Sequence, residues 1–185
     1  ATTEQICADL EALGIPYERP TATGVVATIR GTAQSAYGAA DSPRRRILLR
    51  ADIDGLPVAE RTGESFSSEN DGFMHACGHD CHIAMLLGAA RLLAGMTDEL
   101  KGEVRLVFQP AEEGGDGSKT MISAGVLEGV DGVFGMHIWS DVPAGKVSVE
   151  AGPRMAATDW WRIDVTGRSA HGAMPNQGAD AVLAG

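Results

Sequence analysis

Apolar residues recur along this chain at helical and strand periods in a regular order. Ile6, Leu10 and Leu13 fall at helical spacing. Thr2 and Gln5 have the spacing of a capping box, and Gly14 can close the helix. Val25 to Arg30 predicts a strand, followed by a loop through Gly31, Gly38 and Pro43. Ile47-Leu48-Leu49 predicts a second strand that runs into Arg50-Ala51-Asp52-Ile53-Asp54-Gly55. A polar loop covers Glu60 to Asp71, and Ile83 to Leu93 is apolar nearly all round, which predicts a buried helix. Val104 to Phe108 predicts a strand leading into Gln109-Pro110-Ala111-Glu112-Glu113. Gly114, Gly115 and Gly117 predict a turn, with Ser118 capping a helix to about Ala124. Val133 to Met136 predicts a short strand ending at His137.

Strands alternating with helices imply an α/β unit with a largely parallel sheet. After Val147 to Glu150 the pattern changes. Gly152-Pro153 reads as a break, Trp160 to Val165 as a strand of a second unit, and Ala179 to Ala184 as the opening of a helix. The expected division is 1–154 for the first domain and 155–185 for the start of another. That second stretch is too short to close a core of its own.

Composition narrows the function classes. With a formal net charge of -10 the surface repels phosphate backbones, so nucleic-acid binding is not expected. Arg44-Arg45-Arg46 reads as a solvated strand start rather than an anion site. No apolar run is long enough for a transmembrane helix, and Ala1-Thr2-Thr3-Glu4 does not read as a signal peptide. Three Cys are too few for a disulfide framework. A reducing cytoplasm is the expected setting, where a Cys near His residues is a candidate metal ligand.

Two clusters carry the chemistry. In His75-Ala76-Cys77-Gly78-His79-Asp80-Cys81-His82, three His and two Cys fall within eight residues. Thiolate and imidazole together suit zinc and other borderline transition metals. The second cluster is Glu112-Glu113, just past a strand. Neighbouring side chains there point in different directions, so one carboxylate can bind metal while the other acts as general base. Asp52 and Asp54, the Glu pair and His137 all follow the carboxyl ends of predicted strands. In open α/β sheets, sites form in the crevice outside those ends.

The segments Arg50 to Pro57, Met74 to His82, Gln109 to Gly114 and Gly135-Met136-His137 together resemble the M20 family of metallopeptidases. The nearer resemblance is to its amidohydrolase branch of hippurate hydrolases, N-acyl-amino-acid deacylases and plant auxin-conjugate hydrolases. It covers the chain from about Ile6 to Ala184. It implies a three-layer αβα catalytic domain with a largely parallel mixed sheet, plus the start of an α+β lid and dimerisation domain. It also implies two divalent metal ions, Zn or Mn foremost, with Co or Ni as alternatives. Cys77, His79, Glu113 and His137 would be metal ligands and Glu112 the general base and acid. Asp54 matches the Asp of a His-x-Asp motif that orients a ligand. Asp52 stands where peptidases of the family carry a metal-binding His, and is not expected to bind metal directly. His171 matches a lid residue that polarises the scissile carbonyl. The implied substrate is a small N-acyl amino acid or short peptide, and the implied assembly of the whole protein a homodimer.

The sequence departs from the family pattern in two places. Family members supply one more metal-binding His after the lid, and no His follows His171 here, so part of the site is expected to be missing from these 185 residues. Ser169 and Asn176 stand where many relatives carry Gly and His, which leaves acyl preference open. Three other functions remain in view. One is a dipeptidase or metallocarboxypeptidase of the same family. Another is a single-zinc module using Cys77, Cys81, His79 and His82. The third is an oligomerisation module.

Overall fold

A computed structural model describes residues 1–33, 45–159 and 161–185. Gly38, Pro43, Arg44 and Trp160, named above, lie outside the described residues. The chain divides into two compact units, Ala1–Asp141 and Val142–Gly185.

The first unit is a mixed sheet between two helical layers. Its elements are α1 (Thr2–Ala12), β1 (Tyr17–Glu18), β2 (Val25–Arg30), β3 (Arg46–Asp52), α2 (His79–Ala94), β4 (Glu103–Gln109), α3 (Gly117–Ser123) and β5 (Gly132–Gly135). Strand order is β1-β2-β4-β3-β5. The neighbours β4, β3 and β5 run parallel, while β2 joins β4 antiparallel. Alternation along each strand feeds opposite layers. Val25, Ala27, Ile29, Leu106 and Phe108 pack with Ile6 and Leu10 of α1 and with Ile83 and Leu86 of α2. Val26, Leu48 and Val107 point the other way, onto Met121 of α3 and Val126. The three-layer arrangement expected above follows from this two-sided burial.

Several local expectations are corrected. Thr2 lies inside α1 and Ala1 is its N-cap, with no side-chain capping bond. Thr3 instead ties the helix down, donating from Oγ1 to the carbonyl of Thr23. The helix does close at Gly14, where the N–H groups of Gly14 and Ile15 bond the carbonyls of Glu11 and Leu10. Ser118 does not cap α3, because the helix begins one residue earlier behind Asp116. Arg46 is not simply solvated: it pairs with Glu103 and donates to the Glu128 carbonyl. α2 is not buried all round. His79, His82, Ile83, Leu86 and Ala90 face the core, whereas Leu92 is 71% exposed.

A long loop joins β3 to α2. Its two ends are clasped by an isolated antiparallel bridge between Leu56 and Met74. Each of these two N–H groups donates to the other's carbonyl.

The second unit contains no strand among its described residues. Trp161, Ile163 and Val165 alternate with Arg162 and Asp164 as a strand would, yet all three are exposed. A strand needs a hydrogen-bonded neighbour. Among its described residues the pairing this unit offers is the single bridge Arg168–Ala179. A 3-10 turn follows at Pro175–Gln177, and then α4 (Ala181–Ala184). The Asp180 side chain caps α4 by accepting from the N–H groups of Val182 and Leu183.

Candidate metal centre

Because β3, β4 and β5 are parallel, their carboxyl ends open on one edge of the sheet. Asp52 pairs in register with Gln109, so Asp54 and the Glu pair leave the sheet at the same level. α2 points its N-terminus into the same place, starting at His79 behind Gly78.

His79 sits at the centre. Its side chain is 1% exposed. Nδ1 lies 3.0 Å from the carbonyl oxygen of Asp54, an acceptor, so Nδ1 carries the proton. That leaves Nε2 with a lone pair. Nε2 is buried with no hydrogen-bond partner, an arrangement that carries a desolvation cost unless something binds there. Around it stand Glu113 Oε1 at 3.8 Å and Glu112 Oε2 at 4.0 Å. Cys77 and His137 complete the group, with Cys77 Sγ 3.5 Å from His137 Nε2. His137 Nδ1 donates to the carbonyl of Ile138 at 2.5 Å, so its Nε2 is the bare nitrogen.

Asp54 connects the two clusters. Its carbonyl receives His79 and His75, and its Oδ2 receives the N–H of Glu113 at 3.0 Å. The loop that delivers the glutamates is tight. Ala111 has φ of 50°, in the left-handed region. A Cβ at Gly117 would overlap the carbonyl of Pro110, so only glycine lets the α3 start close over this turn.

Electrostatics fit a metal centre. Burial pushes the Cys77 thiol up to about 11, helped by the hydrogen bond and negative charge of Glu113 and by Glu112 and Asp52. A cluster of thiol and carboxylates with this mutual repulsion is what a divalent cation relieves. Soft sulfur, two imidazoles and carboxylate oxygens also suit zinc and neighbouring transition metals.

Asp52, His79 and His82 also lie close enough to share an ion. Their hydrogen bonds argue otherwise. Asp52 Oδ1 is taken by His82 Nδ1 at 2.5 Å and Oδ2 by Arg50 at 3.0 Å. Burial raises the Asp52 pKa, but the His82 hydrogen bond and the Arg50, His79 and His82 charges outweigh it, and the net shift is downward. His82 Nε2 accepts from the N–H of Ile138 at 3.1 Å. His82 has no lone pair left for metal, and both Asp52 oxygens are already engaged, one by His82 and one by Arg50. Cys81 belongs to none of the candidate donor groups among the described residues, so the single-zinc set is not assembled. All three Cys are free.

The sequence reading missed the roles of Arg50, His82 and Ile138. The spacing of His82 from His79 carried the signal: three apart, they share one face of a helix that starts at His79. His171 lies in the second unit, exposed, with Nδ1 accepting from the N–H of Ala173.

Residues 48–184 match the model of peptidase family M20/M25/M40. The chain belongs to this family. It is 47% identical over 167 residues to an N-acetyl-L-cysteine deacetylase of Bacillus subtilis, covering 89% of this chain and 38% of that protein. It is 42% identical to an N-acyl-L-amino acid amidohydrolase of Geobacillus stearothermophilus, covering 100% and 48%. Identity to thermostable carboxypeptidase 1 of Saccharolobus solfataricus is 45%, covering 98% and 45%. Among solved structures, a dinuclear metal binding peptidase of this family from Bacillus subtilis superposes with TM-score 0.74 at 44% identity, covering 82% of this chain and 41% of that one. A putative aminohydrolase from methicillin-resistant Staphylococcus aureus gives TM-score 0.79 at 36% identity, covering 99% and 47%. The chain thus spans less than half the length of these relatives. Among the described residues no helix is long and apolar enough to cross a membrane.

Proposed function

We propose that this chain carries most of the metal centre of a hydrolase that cleaves the amide bond of N-acyl amino acids. The observation that carries the reading is the buried, unpartnered Nε2 of His79 facing Cys77, Glu112, Glu113 and His137. Cys77, His79, Glu113 and His137 are the proposed ligands, for two divalent ions in the whole protein. Zn or Mn suits them best, with Co or Ni as alternatives. Such ions supply Lewis acidity toward water and toward the amide carbonyl.

The chain's own groups do the rest. Glu112 takes a proton from the attacking water and returns it to the leaving nitrogen. Its side chain is more exposed than that of Glu113, 42% against 28%, as a proton carrier facing substrate requires. Asp54 orients His79 and the Glu113 peptide. His171, in the proposed lid segment 155–185, polarises the carbonyl oxygen. Residues 1–154 are the proposed catalytic portion. A homodimer is the proposed assembly, and the cytoplasm the proposed setting, where Cys77 stays reduced.

Relatives named as deacetylase, amidohydrolase and carboxypeptidase define the competing substrates. The deciding experiment is hydrolysis of a panel of N-acyl amino acids, dipeptides and blocked peptides by the whole protein, with Mn, Zn, Co and Ni compared. Preferred turnover of N-acyl amino acids is expected. Preference for blocked peptides would replace this reading with the carboxypeptidase one.

A further inference from the structure

Ile138 does two opposite jobs with its backbone. Its carbonyl accepts the Nδ1 proton of His137, leaving His137 Nε2 bare and directed at Cys77 Sγ. Its N–H donates to His82 Nε2. A backbone N–H can only donate, so His82 Nε2 must hold a lone pair. In the neutral ring the proton then sits on Nδ1, where Asp52 Oδ1 receives it. Asp52 is in turn held by Arg50, whose Nε also donates to Gln109 at the end of β4. The chain of bonds therefore runs from the sheet to one proposed ligand: Arg50, Asp52, His82, Ile138, His137. Asp52 and His82 are both almost fully buried, so each unmet bond would be costly. Ring packing runs along the same line, with His82 edge-on to His137 at 4.5 Å between centroids.

The rest of Ile138 closes the arrangement from the other side. Its Cδ1 lies where a Cβ of Gly78 would be, against the turn between Cys77 and His79. His137 itself is exposed and follows the short edge strand β5. Its ring otherwise meets the Cys77 thiol and the edge of Trp139, and the bonds through Ile138 tie it to the buried side of the centre.

We propose that His82 is a positioning residue, locked in one tautomer by Asp52, that sets His137 for metal through the backbone of Ile138. This rests on the reading of His137 as a ligand. Paired variants of the whole protein separate the positioning role from simple packing. In His82→Asn the amide nitrogen takes the place of Nδ1 and still donates to Asp52, but nothing accepts from Ile138. In His82→Gln the amide oxygen reaches the place of Nε2 and accepts from Ile138. Co²⁺ affinity, measured by chelator competition and by the thiolate-to-cobalt absorption band, is expected to fall about 10- to 100-fold in His82→Asn. It should stay within about threefold of the parent in His82→Gln, on the same scale. Parent-like binding by His82→Asn, or equal loss in both variants, would overturn the proposal. If His82→Asn does not fold, long-range ¹H–¹⁵N spectra of the parent protein decide. A proton on Nδ1 alone supports the relay, and a proton on Nε2 ends it. Neither readout needs turnover. A protein that binds cobalt through Cys77 and His137 but cleaves no amide leaves this inference standing and removes the hydrolase reading.

Discussion

The N–H of Glu113 donates to Oδ2 of Asp54 at 3.0 Å, so a carboxylate at the end of one strand holds the peptide between two glutamates at the end of the next. The same residue offers its carbonyl to His79. Replacing Asp54 with Ala should keep the carbonyl contact but free the glutamate loop. Metal affinity is expected to fall about 10- to 100-fold. Isothermal titration with Zn²⁺ measures it, and unchanged affinity would show that the loop holds itself.

Glu112→Gln tests the proton carrier. The amide keeps the shape and loses the basicity. Metal content should stay at the parent level while kcat falls by about 10²- to 10⁴-fold, extrapolating from general-base and electrostatic magnitudes. Near-normal turnover with full metal would remove Glu112 from the mechanism.

Cys77 gives a pH dependence with a definite sign. Its thiol is raised from 9.0 to about 11 in the folded, metal-free chain. Below that range the folded state keeps the proton, so metal binding must release it. Metal affinity should therefore climb about tenfold per pH unit from this residue alone. The metal-free fold behaves oppositely: the neutral thiol it prefers is lost as pH rises from 9.0 through about 11, and stability falls over that window. Zn²⁺ competition titrations between about pH 7 and 9 should show the slope, with Cys77→Ser reducing it by roughly one proton. An equal slope in the variant would mean another group gives up the proton.

Gly78→Ala separates two costs. Gly78 has φ of 88° and would also bring a Cβ onto Ile138, whereas Gly63 has φ of 74° with nothing near. Gly63→Ala is expected to cost about 1 kcal/mol of backbone strain. Gly78→Ala should cost about 1–3 kcal/mol more, from overpacking. Denaturant unfolding of the metal-free variants compares them, and equal losses would mean Ile138 moves aside freely.

The layered sheet was legible because the short, nearly continuous apolar runs in Val25 to Arg30 and Val104 to Phe108 are what strands buried on both faces require. The cluster from His75 to His82 and the Glu pair were legible as chemistry, since few surfaces concentrate those residue types. What the sequence hid was competition among the same groups. Asp52 and His82 look like metal ligands, yet His82 commits its proton to Asp52 and its lone pair to Ile138, and both Asp52 oxygens are engaged by His82 and Arg50. Only coordinates show that bookkeeping. The α2 start was misplaced because apolar periodicity begins at Ile83, while the helix itself begins at His79 behind Gly78. The strand expected at Trp160 to Val165 is absent from the described residues 161–165 for a different reason: alternation states a preference, and pairing needs a neighbour.

The Leu56–Met74 clasp has a consequence for how this protein can change. It closes the long β3–α2 loop at its base, outside Asp54 on one side and before His75 on the other. Residues grafted or deleted between 57 and 73 alter a loop whose ends are already fixed. Doubling its length would cost only about 0.6 kcal/mol of closure entropy. Length variation can therefore accumulate there, reshaping what approaches the centre, while the donors behind the clasp keep their places.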